Sequence, residues 1–389
     1  MSTSHAYDAT GIEYYAIPSF TFASGTTLHE LKVAYKSINP SSTKGAVLIP
    51  TCYGGRINTT LSFTTAPHDC LKDYHVVVVA MLGNGESSSP SNKPFFPVPG
   101  ELHYQDCIRA QHQLLTEYLG VKELEAVIGF SMGAQQAYYW AVMYPHFVKK
   151  VVSICGSART SPHNYAFLEG PIGGLTNAID YVAWTQMKEK KRLGEGEFKG
   201  DWEKLRPERG LRAFGRAYSA WLTSATWFRE RWWSARGEAR EGEKGNADAG
   251  LGFKDVEEFI VKASEEAFLS WDAEDLLVLG RMWQMGDVGR VVPGEEMEVA
   301  TLGGGLGDDE MFRKALASVQ ADVLVMPCRT DQYFPPEDSE IEVEYLKKGT
   351  FAPIESIWGH AAGGGMNERD VKWMNGRIGE FLASRAMQG

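Results

Sequence analysis

Short apolar runs alternate with helical patterns along the first part of the chain. Residues 29–38 alternate between apolar and polar positions, whereas 45–52, 74–82, 124–128 and 148–155 are nearly continuous apolar runs. Both patterns predict strands. Apolar residues at helical spacing predict helices over 102–119 and 134–144. Continuous β-branched strands separated by helices favour a mostly parallel sheet covered on both faces.

The pattern changes between residues 157 and 305, where helical spacing prevails and no clear strand occurs. Two charged, glycine-containing segments, 187–210 and 235–250, are predicted to be loops. The alternation then resumes, with a helix over 308–319, a strand over 321–327, a helix over 337–347, a strand over 352–358 and a helix over 367–384. We therefore predict a core domain of residues 1–156 and 306–389, with a mainly helical cap inserted over 157–305.

Composition and charge narrow the kind of partner. The chain has 389 residues, 43% of them hydrophobic, and a formal net charge of −11, which is typical of a globular protein and disfavours nucleic acid or an anionic membrane surface. The first residues lack the basic and apolar regions of a secretory signal, and the strongly apolar stretch 76–82 is too short to cross a bilayer. We expect a cytoplasmic protein that binds a small molecule.

The spacing of the cysteines argues against a zinc site and against a disulfide framework. The five cysteines have no C-x-x-C spacing and no histidine neighbours, so neither a zinc site nor a disulfide framework is predicted. We expect a reducing compartment, no metal and no organic cofactor.

A serine lies between two glycines where a predicted strand meets a predicted helix. Residues 129–133 read GFSMG, and G-x-S-x-G is typical of the nucleophile elbow, a sharp turn that projects the serine oxygen at the carboxyl edge of a sheet. A plain glycine-rich turn is the alternative for so short a match. Ser131 is the candidate nucleophile.

A serine hydroxyl needs a base to remove its proton and an acid to orient that base. With this elbow the partners follow in the order serine, acid, histidine. Asp331 follows the predicted strand 321–327, and His360 follows the predicted strand 352–358. Parallel strands bring their carboxyl ends to one edge, so we predict a triad of Ser131, Asp331 and His360, with Asp338 as the alternative acid.

The oxyanion of acyl transfer requires preorganised hydrogen-bond donors. One is expected to be the backbone N–H after the nucleophile, at Met132, and the other comes from the loop after an early strand. In that loop, TCYGGR, we assign the N–H of Cys52, with Tyr53 as the neighbouring candidate. Cys52 is a weaker candidate for the nucleophile, because no motif places a base beside it.

Several motifs in order resemble the homoserine O-acetyltransferase family of α/β-hydrolases, over roughly residues 25–385. The segments that carry the resemblance are VAMLGNGESSSPS (79–91), GFSMGAQQA (129–137), RPERGLRA (206–213), WDAEDLLVL (271–279), TDQYFPP (330–336) and IWGHAAG (357–363). The elbow is similar to the family pattern G-x-S-M-G-x-x-Q, and the acid loop to S-D-x-L-F-P-P. The resemblance implies an α/β-hydrolase fold, acylation of Ser131 assisted by Asp331 and His360, and a homodimer formed through the cap helices.

This chain differs from the homoserine-using members of the family at three positions that bind the substrate. Family members that use homoserine carry an aspartate directly after the catalytic histidine, where this chain has Ala361. Their arginine and tyrosine positions in the cap hold Gly215 and Leu222, although a one-residue shift would bring Arg216 to the arginine position. A substrate ammonium group would lose water without gaining a carboxylate, which is costly. Homoserine is therefore disfavoured.

The remaining pocket is expected to be apolar. We assign Tyr53, Trp221, Leu222 and Ala361 to this pocket. The segment 217–233 carries further aromatic residues, namely Trp227, Phe228, Trp232 and Trp233. The aromatic residues of this segment either line the pocket, form the core of the cap or form a dimer contact. Without a dedicated acceptor, water becomes the second nucleophile, so we predict a hydrolase of short-acyl, above all acetyl, esters. The alternatives are an acyl-CoA-dependent O-acetyltransferase for another alcohol and a non-catalytic binding protein on this fold.

Overall fold

The computed structural model describes residues 7–192, 206–234, 250–303 and 307–384. The strands are, in chain order, β1 Glu13–Thr21, β2 Thr27–Ile38, β3 Ala46–Pro50, β4 His75–Val79, β5 Leu124–Phe130, β6 Lys150–Ile154, β7 Asp322–Met326 and β8 Gly349–Phe351. They form one sheet in the order β1-β2-β4-β3-β5-β6-β7-β8. The strands from β4 to β8 in this order pair in parallel, whereas β1 and β2 pair antiparallel at one edge.

Burial explains why the central strands read as continuous apolar runs. Every residue of β3, β4, β6 and β7 is buried, as expected for parallel strands with helices on both faces. Most of β1 is exposed, and its sequence carries too weak an apolar pattern to have been predicted as a strand. The predicted mostly parallel α/β sheet is confirmed.

Helices cover the sheet and fill the segment between β6 and β7. In chain order they are α1 Tyr104–Gln113, α2 Met132–Met143, α3 Pro162–Thr176, α4 Ile179–Arg192, α5 Glu208–Tyr218, α6 Ala225–Arg229, α7 Val256–Phe259, α8 Glu266–Phe268, α9 Ala273–Gln284, α10 Asp309–Ser318, α11 Pro336–Tyr345, α12 His360–Gly363 and α13 Glu368–Ala383. A π-helical turn, Leu114–Tyr118, extends α1, and another, Ile260–Glu265, joins α7 to α8.

The helices α3 to α9 lie in the segment predicted to be a cap, a name kept for them below, and they share an apolar core with the sheet. Phe167, Phe214 and Trp283 of the cap belong to the same buried cluster as Val77 and Val127 of the strands. The cap therefore packs directly on the body of the protein, and the cavity described below lies where the two meet. No described helix is long and apolar enough to span a bilayer.

Two sequence predictions differ from the structure. The strand predicted over 352–358 is wrong: β8 ends at Phe351, and beyond it only Ile354 forms an isolated bridge, to Cys328. Pro353 has no N–H to continue a ladder. Of the predicted loop 187–210, its first residues belong to α4 and its last to α5. Residues 193–205 of it, and residues 235–249 of the second predicted loop, lie outside the described residues.

Candidate active site

Ser131 occupies a sharp turn between β5 and α2. Its backbone has φ 58° and ψ −124°, a conformation that is strained for a residue with a side chain. A Cβ atom at Gly129 would lie 2.0 Å from the carbonyl oxygen of Gly133, and one at Gly133 would lie 2.7 Å from that of Pro50. Glycine is therefore required at both positions, because the chain closes on itself there.

His360 and Asp331 form a buried hydrogen bond. The Nδ1 atom of His360 lies 2.7 Å from Oδ2 of Asp331, and Oδ1 of the same carboxylate accepts hydrogen bonds from the backbone N–H groups of Tyr333 at 2.8 Å and Phe334 at 3.1 Å. A carboxylate partner places the ring proton on Nδ1, which leaves Nε2 able to accept a proton. Two backbone donors hold the carboxylate in place.

Asp338, the alternative acid, lies elsewhere. It belongs to the first turn of α11, and burial raises the pKa of its carboxyl, with a hydrogen bond from Ser161 acting in the opposite direction. The carboxylate that contacts His360 is that of Asp331.

Ser131 and His360 line the same cavity, which has a volume of about 230 Å³. Its other walls come from the loop after β3, from the cap and from the histidine loop; they include Cys52, Phe63, Tyr218, Tyr333 and Met366. Among the described residues that line it, none is Asp, Glu, Lys or Arg. A charged substrate would therefore meet no opposite charge here.

The predicted oxyanion donors lie beside this cavity. Cys52 lines it, and Met132 begins α2, where a backbone N–H has no acceptor within its own helix. The loop turns directly after Cys52, whose carbonyl oxygen accepts from the N–H of Gly55 at 3.0 Å. Burial raises the pKa of the Cys52 thiol to about 12, so the thiol stays protonated at neutral pH and is a poor nucleophile.

The predicted pocket residues divide into two groups. Tyr53, Leu222 and Ala361 line the cavity. Trp221 is not among its lining residues, which corrects that assignment; it packs on Phe167 with ring centroids 4.9 Å apart, because the apolar surface of α3 lies next to it.

The other cap aromatics pack in a second buried cluster, which also contains strand residues such as Val76 and Ile128. Trp227 is fully buried and contacts Phe259 and Trp358, with ring centroids 5.3 Å and 5.8 Å away. The cavity instead receives Tyr218 and Tyr333, which sequence reasoning missed. For Tyr333 a signal existed, since it replaces the leucine of the S-D-x-L-F-P-P pattern.

Arg216 does not restore a cation to the cavity. Its guanidinium group binds Glu257 with an N···O distance of 2.6 Å and Glu265 at 2.5 Å, both belonging to the α7–α8 region of the cap. At the preceding position, a Cβ atom on Gly215 would lie 2.4 Å from the carbonyl oxygen of Ser264. Position 215 therefore has no room for an arginine side chain. The arginine at position 216 is bound to two cap carboxylates, so neither position supplies a cation to the cavity.

Cys155 is a further neighbour of the candidate acid and base. Among the described residues, one group of three potential metal ligands occurs, in which atoms of Cys155, Asp331 and His360 lie within 4.8 Å of one another. Asp331 and His360 already share a hydrogen bond, and burial raises the pKa of the Cys155 thiol well above its ordinary value. The thiol keeps its proton and donates to the carbonyl oxygen of Met326, with an Sγ···O distance of 3.9 Å.

Comparisons with known proteins agree with this architecture. A family model described as alpha/beta hydrolase fold matches residues 45–185. An ethyl acetate hydrolase from Pseudomonas veronii is 30% identical over 361 residues, covering 92% of this chain and 90% of that protein. A homoserine O-acetyltransferase from Haloferax volcanii is 27% identical over 379 residues, covering 88% and 82%. The solved structure of the acetyl esterase MekB is 29% identical, with a TM-score of 0.76 over 96% of this chain and 97% of that one.

Proposed function

The chain belongs to the α/β-hydrolases, in the family that unites homoserine O-acetyltransferases with acetyl esterases, and from this premise we propose that it hydrolyses short-acyl esters, above all acetyl esters, through an acyl-serine intermediate. One observation carries the proposal: Ser131 and the Asp331-bound His360 line one cavity whose described walls carry no charged side chain. Catalysis would require no metal or organic cofactor.

In the first half of the proposed reaction, the ester acylates Ser131. Nε2 of His360 removes the proton from the serine Oγ, which attacks the carbonyl carbon and pushes the electron pair onto the carbonyl oxygen. The backbone N–H groups of Cys52 and Met132 bind this oxyanion. When the tetrahedral intermediate collapses, the C–O bond to the alcohol breaks, and the alcohol leaves with the proton that His360 held.

In the second half, water replaces the alcohol. His360 removes a proton from a water molecule, and the resulting hydroxide attacks the acyl carbon. Collapse of the second intermediate breaks the bond to Oγ of Ser131, which recovers its proton from His360. The carboxylic acid leaves, and the enzyme returns to its starting state.

The walls of the cavity favour a neutral and small ester. Ala361 and Leu222 occupy the positions at which homoserine-using members of the family carry polar groups, and both face the cavity. A substrate ammonium or carboxylate would be desolvated there without an opposite charge, which costs several kcal/mol. The volume of about 230 Å³ suits a short acyl group with a modest alcohol.

A second candidate is an acyl-CoA-dependent O-acetyltransferase that acts on an alcohol other than homoserine. It is favoured by the family, in which both reactions occur, and it would use the same acyl-serine intermediate. The two reactions differ in whether water or an alcohol reaches that intermediate first. Measuring hydrolysis of acetyl-CoA, and acetyl transfer from it to a series of added alcohols, distinguishes them.

The decisive experiment is pre-steady-state hydrolysis of p-nitrophenyl acetate, with intact-protein mass spectrometry of the quenched enzyme. We expect a burst of one p-nitrophenol per site, an acetyl adduct on Ser131, and neither in Ser131→Ala. A panel of acetyl to octanoyl esters then defines the acyl length. Equal turnover by Ser131→Ala would refute the proposal.

We also propose that the cap, residues 157–305, joins two subunits into a cytoplasmic homodimer. Ile179 and Val182 of α4 are 73% and 42% exposed, and the spacing of the five cysteines suits a reducing compartment. Sedimentation velocity of the wild type and of Ile179→Glu tests the dimer: the substitution is expected to yield monomer, and a wild type that sediments as a monomer contradicts it.

A further inference from the structure

A line of buried hydrogen bonds connects the helix after the nucleophile to the loop after β3. The indole Nε1 of Trp140 donates to Oε1 of Gln111 at 2.8 Å. Nε2 of Gln111 donates to Oε1 of Gln136 at 2.7 Å, and Nε2 of Gln136 donates to the carbonyl oxygen of Thr51 at 3.0 Å. None of these four residues is more than 1% exposed, so water does not compete for the hydrogen bonds.

The direction of this line is fixed by chemistry. An indole N–H can only donate, so the Gln111 atom that faces it must be the amide oxygen. The NH₂ group of Gln111 then faces Gln136, whose oxygen must accept, and the NH₂ group of Gln136 is left to face Thr51. Trp140 therefore determines which end of the Gln136 amide reaches the loop.

The acceptor at the end of the line belongs to one of the two peptide groups assigned to the oxyanion hole. The carbonyl of Thr51 and the N–H of Cys52 are parts of one planar trans peptide group, in which C=O and N–H point in opposite directions. A hydrogen bond that fixes the carbonyl therefore also fixes the direction of the Cys52 N–H. On the other side of Thr51, its N–H donates to the carbonyl oxygen of Val79 at 2.9 Å.

The second assigned peptide is held in a comparable way by the helix itself. The carbonyl oxygen of Ser131, which shares a peptide group with the N–H of Met132, accepts from the N–H of Ala134 at 2.9 Å and from that of Gln135 at 3.2 Å. Both oxyanion donors thus have their partner carbonyls anchored to α2. For the Cys52 peptide the anchor is a side chain, and it can be removed by mutation.

We propose that Gln136 is a positioning residue for the oxyanion hole, and that Gln111 and Trp140 orient its amide. The proposal rests on the proposed function, because an oxyanion hole has meaning only in acyl chemistry. It assigns a role to the glutamine of the G-x-S-M-G-x-x-Q pattern, which is not among the described residues that line the cavity. Its hydrogen bond would matter most when charge develops on the substrate oxygen, so kcat depends on it more than KM does.

The test compares Gln136→Met with Gln135→Met. Gln135 is an equally buried amide on the same helix, but it accepts from the hydroxyl of Tyr104 at 2.6 Å and donates to that of Thr160 at 3.1 Å, away from the loop. Both variants lose buried hydrogen bonds and should melt at lower temperature. We expect kcat for p-nitrophenyl acetate to fall about 10- to 100-fold in Gln136→Met only, with KM within about threefold.

The affinity of a trifluoromethyl ketone, which forms a tetrahedral adduct on an active serine, is the second measurement. A loss of stability alone would not change this affinity. The affinity is expected to fall in parallel with kcat in Gln136→Met and to stay at the wild-type value in Gln135→Met. Equal kcat and equal inhibitor affinity in the two variants would overturn the proposal. Failure of the proposed function is distinct, since the wild type itself would then form no acetyl-serine.

Gln111→Met tests the same line without changing a residue that touches the loop. A methionine donates no hydrogen bond to the Gln136 oxygen, so the Gln136 amide is no longer held with its NH₂ group toward the carbonyl of Thr51. We expect kcat and inhibitor affinity to fall as in Gln136→Met. This variant decides the question if Gln136→Met does not fold, and wild-type values in it would overturn the orienting role.

Discussion

The backbone N–H of Ala361 donates a hydrogen bond to the carbonyl oxygen of Leu222 at 3.1 Å. This contact joins the histidine loop to the cap at the wall of the cavity. Homoserine-using members of the family carry an aspartate and a tyrosine at these two positions, so the change from polar to apolar residues occurs at a single point of contact. We therefore expect this contact to determine whether the cavity accepts a charged or a neutral substrate.

Substitution of Ala361 by aspartate is expected to impair hydrolysis of neutral esters. Ala361 is 1% exposed, and a carboxylate at this place would be buried with no cation among the described cavity walls. We expect kcat/KM for p-nitrophenyl acetate to fall at least about tenfold. Ala361→Asn, which has nearly the same size without the charge, should retain more activity than Ala361→Asp at pH 8. Equal losses would show that volume, not charge, is decisive.

Asp331→Asn is expected to abolish most activity while the fold persists. The asparagine oxygen can still accept from the N–H groups of Tyr333 and Phe334, but its NH₂ group would face Nδ1 of His360 and force the proton onto Nε2. Turnover should fall about 10³- to 10⁴-fold. Asp338→Asn is the matched control and should keep wild-type turnover. A large loss in the control with little loss in Asp331→Asn would reverse the assignment of the acid.

Gly129→Ala is expected to destabilise the protein strongly. The added methyl group would lie 2.0 Å from the backbone oxygen of Gly133, and backbone cannot move aside as a flexible side chain can, so we expect a loss of about 3 kcal/mol or more in the free energy of unfolding. Gly376→Ala, in α13, meets nothing within 4 Å and should stabilise by about 0.5–1 kcal/mol. Urea unfolding measures both, and similar midpoints would contradict this account of the elbow.

Glu342 should make stability depend on pH. Burial raises the pKa of its carboxyl from 4.5 to about 8, although the Ala158 N–H that donates to Oε1 at 2.6 Å acts in the opposite direction. A pKa that is higher in the folded state contributes stability below pH 4.5, and this contribution is lost as the pH rises toward 8. Glu342→Gln lacks the titration, so its unfolding free energy, relative to wild type, should increase between pH 5 and pH 8.

Urea titrations at these two pH values check the Glu342 prediction. Glu344→Gln, at an exposed position of the same helix, is the control and should change with pH as the wild type does. If wild type and Glu342→Gln lose or gain stability in parallel from pH 5 to pH 8, the buried carboxyl does not titrate in this range.

The features that follow from the order of strands and loops along the chain could be predicted from the sequence. The features that depend on how side chains pack in the folded protein could not. Ser131, Asp331 and His360 could be predicted to converge because they lie beyond the carboxyl ends of β5, β7 and β8, and parallel pairing brings these ends to one edge of the sheet. The placement of Trp221 could not be read in this way, since its direction depends on where α3 packs. The line from Trp140 to Thr51 was also invisible, because it joins side chains from two helices and a loop that only the folded chain brings together.

The insertion between β6 and β7 also has a consequence for biosynthesis. As the chain leaves the ribosome, β6 is complete long before Asp322–Met326 emerges to pair with it. Throughout that interval the nascent chain carries an unpaired apolar strand edge, which is a template for aggregation and a target for chaperones. Asp331 and His360, the proposed acid and base, are also translated after the cap, so a fragment that ends within the cap lacks both.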